Sequence, residues 1–118
     1  MNQLVHSKAI KKDIKAAHKY IKEILEAPMA ADGLKEELLK KFEYIKEKPY
    51  SRSFVQDLFL ASLEIRSINV KNFTIFYRVK KNKDKKLKYE NIVTVLRFMY
   101  SKRDWQNILK EDSTEGIK

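Results

Sequence analysis

The chain has 118 residues, a formal charge of +10 and no cysteine. That length suits one domain with a buried core, and an apolar content of 43% with thirteen aromatic residues excludes a disordered chain. The missing cysteine excludes disulfides, thiolate metal sites and cysteine nucleophiles together, and with no ~20-residue apolar stretch and no apolar leader the expectation is a cytoplasmic protein without membrane contact.

In chain order, Asn2 to His6 is read as a short first strand. Ser7 suits an N-cap, its hydroxyl accepting from a free amide of the first helical turn. Ile10, Ile14, Ala17, Ile21 and Ile24 then recur at spacings of four and three, which puts them on one helical face with the neighbouring lysines outside it. Pro28 is expected to end this helix. Ala30 to Gly33 reads as a short connection, with Asp32 capping a second helix on which Leu34, Leu38, Phe42 and Ile45 share a face. Pro49 stops that helix, and so short a loop implies an antiparallel hairpin. Tyr50 to Leu63 is apolar enough to be buried, but its period does not separate a helical turn from an extended crossing.

From Glu64 the period changes to two. Ile68 and Val70 lie on one strand, and Lys71-Asn72 reads as a turn. On the next strand Phe73, Ile75, Tyr77 and Val79 face one way and Thr74, Phe76 and Arg78 the other. Lys80 to Lys88 suits a solvated hairpin loop centred on Asn82 and Asp84. In the strand from Glu90 to Tyr100, strict alternation groups Leu96 with Phe98 and Tyr100, and Val95 with Arg97 and Met99. Both faces are mostly apolar, as in a central strand covered on each side. Lys102 to Lys110 is predicted as a terminal helix with Trp105, Ile108 and Leu109 inward, and residues 111–118 as a polar, frayed tail. The expected fold is α+β, in the order β-α-α-β-β-β-α: an N-terminal strand and a helix hairpin packed on an antiparallel sheet, as one domain over 1–110.

Charge is distributed unevenly. Between Arg66 and Arg103 stand twelve Lys and Arg against only Asp84 and Glu90, so the whole formal excess of +10 falls in this segment. Such asymmetry points to nucleic acid, an acidic protein or an anionic surface; the alternative is a solvated surface kept for solubility.

Two segments resemble a known family. Glu64 to Val79 is similar to the sheet segment of RelE/ParE toxins, in which an Arg-containing strand precedes a hairpin of pattern V-x-N-aromatic-x-I-aromatic-Tyr-x-V. Val95 to Trp105 resembles that family's closing element, with Arg97 and the run Lys102-Arg103-Asp104-Trp105, and Ser7 to Ile14 is similar to the start of its first helix. The resemblance implies the toxin of a bacterial type II toxin–antitoxin module, a plasmid stabilisation protein neutralised by a small cognate antitoxin, expected to be acidic. RelE-like members cleave mRNA on the ribosome as metal-independent mRNA interferases, whereas ParE-like members inhibit DNA gyrase and are not nucleases. No cofactor or metal is implied.

Cleavage by a 2′-hydroxyl needs a base, an acid and positive charge at the phosphorane oxygens. The only histidines, His6 and His18, fall outside the basic segment, so cleavage would rest on Arg and Lys electrostatics. Arg78 and Arg97 each interrupt an apolar strand, where a guanidinium requires an acceptor or a wet face. Together with Arg103 they are the candidate catalytic residues. The ordinary reading of each is an ion pair at the sheet edge, or a chain snorkelling over Phe76. Arg66, Lys71 and Lys102 are candidate phosphate contacts, and Tyr100 a candidate stacking residue; Tyr77 and Trp105 fit the core better. Thr74 stands where RelE-like nucleases often carry Arg, and no aromatic or His follows Trp105, which leans toward the ParE-like branch. A protein that retains the fold without toxicity is the third reading.

Overall fold

A computed structural model of the chain describes residues 1–114. Strand β1 (Asn2–His6) leads into α1 (Lys8–Lys19), which widens into a π-helical turn over Tyr20–Ile24. Then come α2 (Pro28–Glu47), the short α3 (Leu58–Ser62), β2 (Arg66–Val70), β3 (Phe73–Lys81), β4 (Asn91–Tyr100) and α4 (Trp105–Thr114). Ser7 caps α1 as its chemistry dictates, accepting from the Ile10 amide at 3.0 Å. Its hydroxyl also donates to the Leu96 carbonyl at 2.6 Å, fixing the start of the helix to the sheet.

The turn between the two long helices differs from the sequence expectation. Pro28 does not close the first helix but opens the second, at a position where its missing N–H has no intrahelical partner to lose. Glu26, at φ 50°, makes the reversal just before it. Ala30 to Gly33 are therefore helical, and Asp32 is not a cap. It meets His18 across the antiparallel hairpin at 3.3 Å. Ile24, expected on the buried face, is 68% exposed, because the π turn breaks the 3.6-residue period one turn earlier.

The sheet order is β1-β4-β3-β2. The expected antiparallel pairing holds for β2, β3 and β4, but β1 joins β4 in parallel, with Leu4 opposite Val93. A parallel neighbour needs a long crossover, and the helices and β2–β3 hairpin between β1 and β4 supply it. Leu34, Leu38, Phe42 and Ile45 of α2 and Ile10 of α1 pack on one sheet face, over Ile75, Tyr77 and Val93. A second cluster on the opposite face joins Phe76, Leu96 and Met99 to Val55, Leu60 and Leu109. Strand β4 is thus covered on both sides.

A β-bulge corrects the face assignment within β4. Phe76 pairs with Arg97 and Tyr77 with Val95, so Leu96 is the extra residue. The slip carries Phe98 to the helix side beside Val93 and Val95, and groups Leu96 with Met99 on the other. Strict alternation had separated both pairs.

The ambiguous segment resolves as an isolated bridge from Phe54 to Arg66 and the helix α3, capped by Asp57 accepting from the Leu60 amide at 3.1 Å. In the β3–β4 loop Asn82 donates to the carbonyls of Asp84 and Tyr89, and the Asp84 carboxylate accepts from the Lys86 amide. Helix α4 starts at Trp105, with Lys102 and Arg103 in the turn before it. Trp105 faces inward as expected, its ring 5.0 Å from that of Phe76. The helix continues through Thr114, so residues 111–114, expected to fray, are ordered; the rest of the predicted tail lies outside the described residues.

Candidate partner-binding groove

At the C-terminal end of β4 the chain builds an apolar groove of about 620 Å³ between the sheet and the helix hairpin. Its helical wall is α1, where Ala16 and Ala17 present no side chain beyond a methyl group. Tyr20 and Leu25, 52% and 56% exposed, close its upper end. The π turn delivers both to this surface, because a continued α-helix would have rotated them around the axis. The floor is an aromatic stack: Phe73 lies parallel to Phe98 with centroids 4.9 Å apart. Tyr100, 44% exposed, meets Phe73 edge-on at 5.9 Å. Arg103 stands at the rim, its amide donating to the Tyr100 carbonyl at 2.9 Å.

The turn that carries Tyr100 and Arg103 is held from β3. Buried Thr74 bonds Ser101 at 2.8 Å and donates to Asn69 at 3.1 Å, and the Ser101 amide donates to the Asn72 carbonyl at 2.8 Å. Thr74, which occupies the place of a nuclease arginine in the resemblance, is thus a structural hydroxyl here.

Beside the groove Arg97 is clamped. Its Nε and Nη2 donate to the two carboxylate oxygens of Asp13 at 2.7 and 2.9 Å, and Nη1 donates to Asp112 at 3.2 Å. Asp13 also accepts from the Phe98 amide at 3.0 Å. This bidentate geometry is the strongest form of the ion pair, and the bond to Asp13 raises the Arg97 pKa above its ordinary value. The bulge turns Arg97 toward both helices, so α1, β4 and α4 meet at one guanidinium.

The family model of the ParE toxin of the type II toxin–antitoxin system parDE matches residues 4–105. The chain belongs to the ParE toxin family. Among solved structures it is similar to the chromosomal ParDE toxin–antitoxin system from P. aeruginosa, at 14% identity and a TM-score of 0.63, over 85% of this chain and 96% of that one. No curated protein matches the sequence significantly. The RelE/ParE-type α+β fold expected from the two motifs is thereby established, and membership makes this chain a type II toxin whose partner is a cognate antitoxin.

The candidate residues of this ParE-family chain do not form one cluster. Tyr100 and Arg103 meet at the groove, with exposed Lys102 in the same turn. Arg97 lies next to it but is bonded as above. Lys71 sits in the β2–β3 turn at φ 56°, near Gly33 of α2. Arg66 is at the far edge of the sheet, its guanidinium 4.5 Å from the Phe54 ring centroid and 5.3 Å from that of Tyr50, donating to the Arg52 carbonyl. There it fastens the loop 50–54 over the edge strand. Arg78 lies on the opposite face from the hairpin, its Nε buried with no hydrogen-bond partner. Both histidines lie with the helices: His6 is edge-on to Phe42 at 5.1 Å, and His18 bonds Asp32. Among the described residues no group of His, Cys, Asp and Glu is placed to hold a metal, and no helix is long and apolar enough to cross a membrane.

Sequence reasoning missed Asp13, Tyr20 and Leu25. Asp13 carried a usable signal, as a lone acid among the lysines of α1. Tyr20 and Leu25 carried none, since their position depends on the π turn.

Proposed function

We propose that this ParE-family toxin arrests growth by stoichiometric binding to DNA gyrase rather than by catalysis, and that its cognate antitoxin relieves the arrest. The observation that carries this reading is the state of Arg97. It is the central arginine of the closing motif, and two aspartates hold it, leaving little of its charge for a phosphorane. The accessible candidates, Tyr100 and Arg103, instead border an apolar groove with exposed Tyr20 and Leu25. Aromatic and arginine anchors around an apolar floor are the composition of a protein–protein hot spot. The histidines pack against Phe42 and Asp32, apart from either arginine face.

The test is a supercoiling assay with purified toxin and gyrase. Inhibition should rise to completion near equimolar toxin, and a Tyr100→Ala/Arg103→Glu variant should need at least tenfold more protein while melting like the parent. Unimpaired supercoiling at stoichiometric toxin overturns the reading.

A second reading, mRNA cleavage on the ribosome, draws on one observation. Arg78 keeps a buried, unpartnered Nε on the face away from the hairpin, as an arginine waiting for a phosphate would. In that case Arg78 and Arg103 would supply catalytic charge, Arg66, Lys71 and Lys102 would contact the RNA backbone, and Tyr100 would stack on a base. Primer extension after induction would then reveal discrete cuts in transcripts, and an Arg78→Ala variant would abolish them.

A further inference from the structure

On the other side of α1 from the groove lies a second concavity, between α1 and α2, of about 340 Å³. Ile14, Leu34, Leu38 and Phe98 give it an apolar floor. Lys11, Lys12, Lys15 and Lys35 stand around its mouth. None of these four ammonium groups lies within 4.0 Å of a carboxylate among the described residues. The acids of the vicinity are engaged elsewhere: Asp13 with Arg97, Glu37 with Lys40, and Asp32 with His18 at the closed end of the hairpin. Charge along the chain conceals this feature, because the acids that balance the lysines of α1 are distributed over other elements. In three dimensions the cleft is a positive mouth over an apolar floor.

We propose that this cleft docks an acidic amphipathic helix of a protein partner, laid between α1 and α2 as a third helix. The shape favours a helix. The lining residues of α1 run from Lys11 to His18, about 10 Å of helix axis, which is the span of apolar side chains at i, i+3 or i+4, and i+7. The charge fixes the flanks of the incoming helix as Glu or Asp, since a basic or neutral one would leave four ammonium groups crowded without counter-charge. The surface is separate from the Tyr100 groove, so the inference does not rest on gyrase being the target.

The experiment uses the full chain, isotopically labelled, titrated with a synthetic helical peptide carrying Leu at i, i+3 and i+7 on one face and Glu on both flanks. Backbone amide shifts are expected to concentrate at Ile14, Lys15, Leu34 and Leu38. Affinity should fall at least tenfold in Lys11→Glu/Lys15→Glu/Lys35→Glu and weaken as salt is raised. The milder Lys11→Gln/Lys15→Gln/Lys35→Gln variant, checked for an unchanged melt, should fall between parent and reversal. Four results overturn the proposal: no shifts, shifts centred instead on Tyr20 and Tyr100, equal affinity for a peptide with Lys in place of Glu, or tighter occupancy of the cleft by dodecanoate than by the peptide. A failure here leaves the supercoiling assay untouched, and the reverse holds.

Discussion

Arg78 and Arg97 have nearly the same sequence setting, each a single cation inside an apolar strand, and the two regions around them are opposites. Around Arg97 the bulge, α1 and α4 bring two carboxylates to one guanidinium, with 15% of its side chain exposed. Around Arg78 no partner reaches Nε; the nearest acid, Glu64, bonds Lys80 at 2.9 Å, which together with the charges of Arg78 and Arg66 keeps its carboxyl below the ordinary range. One arginine is a structural clamp and the other an unsatisfied surface group. What separates them is the arrival of residues distant in sequence, Asp13 above all, and not the strand that carries them.

The clamp should yield the largest effect. Asp13→Ala leaves a largely buried guanidinium short of its main partner and removes the acceptor for the Phe98 amide, and it is expected to lower unfolding free energy by about 3 kcal/mol in urea titration. A loss below about 1 kcal/mol would mean that water replaces the carboxylate and that the region is no clamp. Asp112→Ala removes only the longer arm, at 3.2 Å, and should cost about 1 kcal/mol. Its distinct signature is faster amide exchange confined to α4. Arg78→Met should lie within about 0.5 kcal/mol of the parent, because deleting an unpartnered buried donor removes its desolvation penalty along with its charge. A loss comparable to that of Asp13→Ala would erase the contrast between the two regions.

The smallest expected effect concerns pH and His6. Burial beside Phe42, aided by the charge of Lys11, lowers the His6 pKa below 6.5. The folded state therefore favours the neutral ring. Its contribution is complete above pH 6.5 and declines as pH falls through that value toward the lower folded pKa, because the unfolded chain takes up the proton first. Melting temperature should drop slightly from pH 7.5 to pH 5.5, and His6→Gln should flatten that part of the profile. The lowered carboxyls of Asp57 and Glu64 act only further into acid, so they leave this window clear.

Much of this was legible locally. The Ser7 cap, the Leu34–Leu38–Phe42–Ile45 face and the alternation of β3 follow from capping chemistry and from periods of 3.6 and 2, and the structure contains each. The Asn82 and Asp84 loop was read from side chains that bond their own backbone. The misreadings fall where one residue shifts a period: the π turn before Leu25 and the bulge at Leu96. Pro28 was misread because a proline suits a helix start as well as a helix stop. Of the candidate site residues, Tyr100, Lys102 and Arg103 share one turn, while Arg66, Lys71 and Arg78 are dispersed over the sheet's edge, a hairpin tip and its other face.

The excess of positive charge, the order of the elements and the RelE/ParE motifs were determined by the sequence itself, since each depends on residue identity and short spacing alone. Tertiary structure decided which charges are available. It neutralised Arg97 with Asp13 from 84 positions away, left Arg78 unpaired, and gathered the lysines of α1 and α2 around an apolar cleft in a region whose linear charge is balanced. Coulomb interactions act through space over a few ångströms, so charge counted along the chain does not reveal which groups meet.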